Sequence, residues 1–126
     1  MTLDRSLDVL VVDDEVMILS VLSAIIEEFG HSVRVAEDGY AALSAMEELA
    51  SDLIITDLSM PGMNGFELAR RVQSQYPETT LVLMTGHSSE ESYKTAMSMD
   101  MAAYLAKPFK ASELSAILDS VLLRVS

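Results

Sequence analysis

Five short apolar runs recur along the chain: Val9–Val12, Val33–Ala36, Leu53–Thr56, Leu81–Met84 and Ala103–Ala106. Three of them are near-continuous stretches of β-branched or aliphatic residues, the pattern of strands buried on both faces of a parallel sheet. Between the runs the apolar period changes to that of a helix. Ile18, Leu22, Ile25, Ile26 and Phe29 form one stripe, and Gly30 follows as a stop. Ala42, Leu43, Met46 and Leu49 form a second stripe after the Asp38-Gly39 turn. Phe66, Ala69 and the segment from Val72 to Tyr76 form a third, ended by Pro77. Tyr93, Ala96 and Met97 mark a fourth, opened by Ser88-Ser89-Glu90-Glu91. Leu114, Ile117, Leu118, Val121 and Leu122 mark a fifth, with Ser112 as its expected cap.

The order is therefore a strand followed by a helix, five times over. Short connections between such units predict an α/β fold, a five-stranded parallel sheet with helices on both faces. No repeat, linker or low-complexity tract interrupts the pattern, so residues 1–126 are expected to form one domain. In open sheets of this kind, ligands sit at the carboxyl ends of the strands. That edge is where chemistry is to be sought.

The first strand ends in Asp13-Asp14-Glu15, the third in Asp57, the fourth in Thr85-Gly86 and the fifth in Lys107-Pro108. Each has an ordinary explanation alone. Asp14 or Glu15 can cap a helix, Thr85 can serve a turn, Lys107 can be a surface charge, and Asp57 can open the Pro61-Gly62 turn. Their convergence on one rim has no such explanation. Three crowded carboxylates repel and raise one another's pKa, and a hard divalent cation relieves this. An ammonium offsets the remaining charge and can pair with a phosphoryl oxygen, as can a threonine hydroxyl. A carboxylate is also a competent nucleophile toward phosphorus. The set reads as a place where a phosphoryl group meets an Asp carboxylate.

Composition narrows the classes. The chain has no cysteine, which excludes disulfides, thiol nucleophiles and cysteine zinc sites and fits a reducing compartment. Its net charge of −12 repels nucleic acid and anionic membranes, so no direct nucleic-acid or membrane binding is expected. No run approaches the roughly 20 apolar residues of a membrane span. Residues 1–8 carry no export signal.

The stretches VLVVDDE (9–15), LIITDLSMPGMNGFEL (53–68), LVLMTGH (81–87) and YLAKPF (104–109) resemble, in order and spacing, the receiver domain of two-component response regulators, over residues 8 to about 124. The resemblance implies a flavodoxin-like (βα)5 three-layer sandwich. It further implies that Asp13, Asp14, Asp57 and the backbone carbonyl of Ser59 bind Mg²⁺. Asp57 would be the phosphoacceptor, Lys107 would contact the phosphoryl group, and Thr85 and Tyr104 would form a switch pair. Ser59 and His87 match positions that tune the lifetime of the phosphate. The implied partners are a sensor histidine kinase or histidine phosphotransfer protein, an unidentified downstream target, and a second copy of the chain on phosphorylation. The implied location is cytoplasmic, and the chain would be no enzyme beyond gaining and losing its own phosphoryl group. Its output is open: a stand-alone domain, or a receiver from a longer regulator or hybrid kinase.

Some residues depart from the pattern or sit outside it. Asp100 stands where such domains usually have Gly at positive φ. Met97, Met99 and Met101 make an apolar stretch that suits core packing or an adaptable partner surface. His31 reads as a turn residue rather than a ligand. The competing enzyme class, a haloacid-dehalogenase-like phosphohydrolase, uses similar groups but places its nucleophile on the first strand and its acidic pair last. A flavodoxin-like cofactor binder would want a Ser/Thr/Gly phosphate loop where Asp13-Asp14-Glu15 stands.

Overall fold

A computed structural model describes residues 6–125. Residues 1–5 of the segment read as free of an export signal, and Ser126 of the expected domain, lie outside the described residues. The elements alternate as expected: β1 (Asp8–Val12), α1 (Val16–Glu28), β2 (Ser32–Ala36), α2 (Gly39–Glu48), β3 (Leu53–Asp57), α3 (Gly65–Gln75), β4 (Thr80–Thr85), α4 (Glu90–Ser98), β5 (Ala103–Ala106) and α5 (Ala111–Val125). All strand pairs are parallel, in the order β2-β1-β3-β4-β5. The chain thus winds outward from β1 to β2, then restarts on the other side at β3. The crevice at that switch point lies between the carboxyl ends of β1 and β3.

Strand side chains alternate between two cores. Val9, Val11, Leu53, Ile55, Val82, Met84 and Leu105 pack with α1 and α5 through Leu22, Ile26, Leu114 and Leu118. Leu10, Val12, Ile54, Leu81 and Leu83 pack with α2, α3 and α4 through Met46, Leu68, Val72 and Ala96. Each fully buried Leu or Ile contributes about 1.5–3 kcal/mol relative to exposure. Continuing the alternation past the strand ends predicts where the rim residues face. Asp13, Asp57 and Lys107 carry the parity of the α1/α5 layer, whereas Thr85 and Tyr104 carry that of the α4 layer.

Several helix details differ from the apolar pattern. Phe29, Leu49 and Tyr93 are exposed, at 41%, 56% and 50%. Phe29 and Leu49 are C-cap residues, past the last turn that can face the sheet. Ser112 is not a cap, because α5 already begins at Ala111. There Glu113 reaches back and its Oε1 accepts the Lys110 N–H at 3.0 Å. The methionine stretch takes part in core packing: Met101 is buried, and the half-buried Met97 and Met99 pack against the α4-side core. His31 does sit in the turn after α1, where its Nδ1 accepts the buried Leu7 N–H at 2.9 Å. No described helix is long and apolar enough to cross a membrane.

Candidate functional site

Backbone pairing continues beyond the strands into the rim and fixes its position. Asp13 N–H donates to Ala36 O, Leu58 N–H to Met84 O and Lys107 N–H to Thr85 O, at 3.1, 3.0 and 2.8 Å. The rim residues are thus held by the sheet rather than by free loops. Just after Asp57, Gly65 opens α3 so close to β3 that a Cβ there would lie 2.5 Å from the Asp57 carbonyl. The same approach lets Gly65 N–H donate to Leu58 O at 2.8 Å. The β3–α3 loop, including exposed Ser59, is closed at this point. The buried Thr56 hydroxyl donates to the Asp57 carbonyl at 3.0 Å.

Asp13 and Asp57 are buried and Asp14 is exposed, yet one carboxylate oxygen from each lies within 4.8 Å of the other two. Lys107, with its side chain 14% exposed, puts Nζ 2.7 Å from Asp13 Oδ2 and 3.3 Å from Asp57 Oδ1. It is a largely buried counter-ion, not the surface charge that a lysine beside Pro108 could have been. Glu15 Oε1 stands farther off, at 3.9 Å. Glu15 is the N-cap residue of α1 but makes no side-chain cap; instead Asp13 Oδ1 accepts the Glu15 N–H at 2.9 Å.

The electrostatics record the crowding. Burial and the Asp13 charge push the Asp57 carboxyl up, and the Lys107 charge and hydrogen bond only partly offset them. Burial pulls the Lys107 ammonium down, but its hydrogen bond to Asp13 and the charges of Asp13 and Asp57 raise it overall. Three carboxylates face a single ammonium. Hard oxygen donors with unrelieved repulsion fit a divalent cation such as Mg²⁺. The acidic cluster expected from the sequence is therefore present in space.

Thr85 is buried at the end of β4, and its Oγ1 accepts the N–H of exposed His87 at 3.0 Å. Tyr104 is half-buried on β5 in register with Leu83, two residues before Thr85 and on the same sheet face. Its hydroxyl lies 2.6 Å from Ser92 Oγ and accepts the Ser89 N–H at 3.2 Å, both on the first turn of α4. Sequence reasoning missed Gly65 and Ser92, and named Ser89 only as part of the opening of α4. The only signals were the Asn64-Gly65 pair, which reads as a turn, and a Ser-x-x-Ser spacing with no partner named.

Residues 9–119 match the family model described as response regulator receiver domain. The chain is 30% identical over 112 residues to the transcriptional regulatory protein FixJ of Bradyrhizobium diazoefficiens, covering 89% of this chain and 55% of that protein. It is 32% identical over 117 residues to the transcriptional regulatory protein ZraR of Escherichia coli K12, covering 93% and 26%. The chain thus spans about half or less of these curated relatives. Among solved structures it superposes on the chemotaxis response regulator CheY4 of Vibrio cholerae with a TM-score of 0.84 and 33% identity, covering 93% of this chain and 99% of that one. The phosphohydrolase alternative gains no support from these matches, which are to signalling receivers rather than to an enzyme family. The chain belongs to the response regulator receiver domain family of two-component systems.

Proposed function

We propose that Asp57 accepts a phosphoryl group from the phosphohistidine of a sensor kinase or histidine phosphotransfer protein. A carboxylate oxygen of Asp57 attacks phosphorus and the P–N bond breaks, its electron pair leaving with the imidazole, which takes up a proton. The product is an acyl phosphate. Water attack on the same phosphorus later releases phosphate and restores the carboxylate, so the chain's own chemistry is limited to this gain and loss. The observation that carries the reading is Lys107, whose Nζ reaches both Asp13 and Asp57 from a nearly buried position. From there it can follow charge from the carboxylate to a phosphoryl oxygen.

Asp13, Asp14, Asp57 and the backbone carbonyl of Ser59 would hold Mg²⁺, which supplies neutralisation of phosphoryl charge when bound. Asp13 and Asp14 would serve the cation rather than the phosphoryl group, and Thr85 offers a hydroxyl from the neighbouring strand. Ser59 and His87, both exposed and two residues past Asp57 and Thr85 respectively, would govern water access. Turning of the Thr85 hydroxyl toward the phosphoryl group would release space that the Tyr104 ring can fill. The surface of α4, β5 and α5 would then change by a shift between two populated states. That surface is the candidate face for a downstream target or a second phosphorylated copy. The reading takes residues 1–126 as one receiver domain acting in the cytoplasm.

The experiment is incubation with acetyl phosphate, read by intact mass. One phosphoryl group is added with Mg²⁺ and none in EDTA, and Asp13→Ala and Asp14→Ala lose labelling at Mg²⁺ levels that saturate the wild type. Equal labelling in EDTA, or in these variants, contradicts the site.

A further inference from the structure

The first turn of α4 holds Tyr104 through more hydrogen bonds than a helix cap needs. Ser89 caps α4, its Oγ accepting the Ser92 N–H at 3.0 Å. In the usual reciprocal cap the third helical residue is Glu or Gln, long enough to reach back to the cap N–H alone. Here that residue is Ser92, only 9% exposed, and the Ser89 N–H is shared between Ser92 Oγ at 3.3 Å and the Tyr104 hydroxyl at 3.2 Å. Ser92 Oγ donates to Ser89 O at 3.2 Å and accepts from Ser89 Oγ at 3.0 Å. It also lies 2.6 Å from the Tyr104 hydroxyl, a pair in which either oxygen can donate. The Tyr93 ring meets the Tyr104 ring edge-on, with centroids 5.5 Å apart and planes at 82°.

The same turn is tied to the far end of the switch. Only residues 86–89 separate Thr85 from α4, and within them the His87 N–H is committed to Thr85 Oγ1. A Thr85 hydroxyl that leaves His87 loosens the loop carrying the Ser89 N–H, and a Tyr104 hydroxyl that leaves Ser92 strips α4 of a partner. We propose that Ser89 and Ser92 form a latch that holds Tyr104 against α4 and thereby sets the threshold for the phosphorylation switch. The latch deepens the proposed function and rests on it. Ser92 is a positioning residue: it touches no reacting atom and acts through Tyr104.

The latch makes a signed prediction. A ligand that favours the state with Tyr104 released must break the Tyr104–Ser92 bond, so removing that bond in advance tightens the ligand's binding. Loss of one hydrogen bond corresponds to about a two- to tenfold change. The test titrates the full chain with beryllofluoride in Mg²⁺, followed by amide NMR, in wild type, Ser92→Ala, Tyr104→Phe and the double variant. Both single variants should bind about two- to tenfold more tightly, and the double variant no more tightly than either. Tyr104→Phe leaves the α4 cap in place and so answers for any loss of α4 in Ser92→Ala. Unchanged or weaker binding in Tyr104→Phe, or additive effects in the double variant, overturns the latch while a responding wild type leaves the phosphoacceptor reading standing. A wild type that does not respond at all overturns both.

Discussion

As the proposed nucleophile toward phosphorus, Asp57 meets two conflicting demands, since it must be ionised and its surroundings disfavour ionisation. Burial, followed by repulsion from Asp13, holds its carboxyl above the ordinary 3.8. The metal-free folded state therefore keeps a proton at a pH where the unfolded chain has lost it. Stability falls as pH rises from 3.8 through the folded value, and the penalty is fully present beyond it. Lys107 has the opposite consequence. Raised above 10.5, its pairing stabilises the fold at neutral pH and is lost only as pH climbs past that value. In Asp57→Asn the pairing survives through Asp13. We predict that in EDTA this variant is more stable than wild type to urea at pH 7, with the difference gone below pH 3.8; a variant less stable at pH 7 would refute the account. The rim acids were legible in the sequence because strand ends deliver them in register. Ser92 was not, because nothing in local spacing says which hydroxyl on α4 meets a tyrosine from β5.

Two helices end in the same way with different residues. After α1, Gly30 N–H donates to Glu27 O and His31 N–H to Ile26 O; after α4, Asp100 N–H donates to Met97 O and Met101 N–H to Ala96 O. Both ends need a residue at positive φ, which is 90° at Gly30 and 59° at Asp100. The first is glycine and strain-free; the second carries a Cβ in a region unfavourable for it. Asp100→Gly should raise stability by about 1 kcal/mol in urea unfolding, and a fall would show that the Asp100 side chain contributes something that outweighs its strain. Element type and order were legible because the apolar period changes cleanly from strand to helix. Helix ends were less so: at α5 the reach of Glu113, not the hydroxyl of Ser112, serves the first turn.

Across the whole molecule, the site is assembled from four strand ends that no local segment contains. Lys107 and Asp13 are 94 residues apart in sequence and 2.7 Å apart in space. Strand alternation supplied much of this, since odd positions in β1, β3 and β5 share one face. The neighbour order β2-β1-β3-β4-β5 did not follow from periodicity, and it is this order that sets Asp13 beside Asp57. The same sheet separates two roles. The α1/α5 parity carries the charged cluster, and the α4 parity carries Thr85 and Tyr104, so in the proposed switch an event at the cluster would reach α4 through the end of β4. The central claim is that Asp57 is the acceptor on which all of this turns. Its most direct test is labelling of wild type and Asp57→Asn with acetyl phosphate in saturating Mg²⁺, read by intact mass. The account predicts one phosphoryl group on the wild type and none on the variant; equal labelling of the two would contradict it.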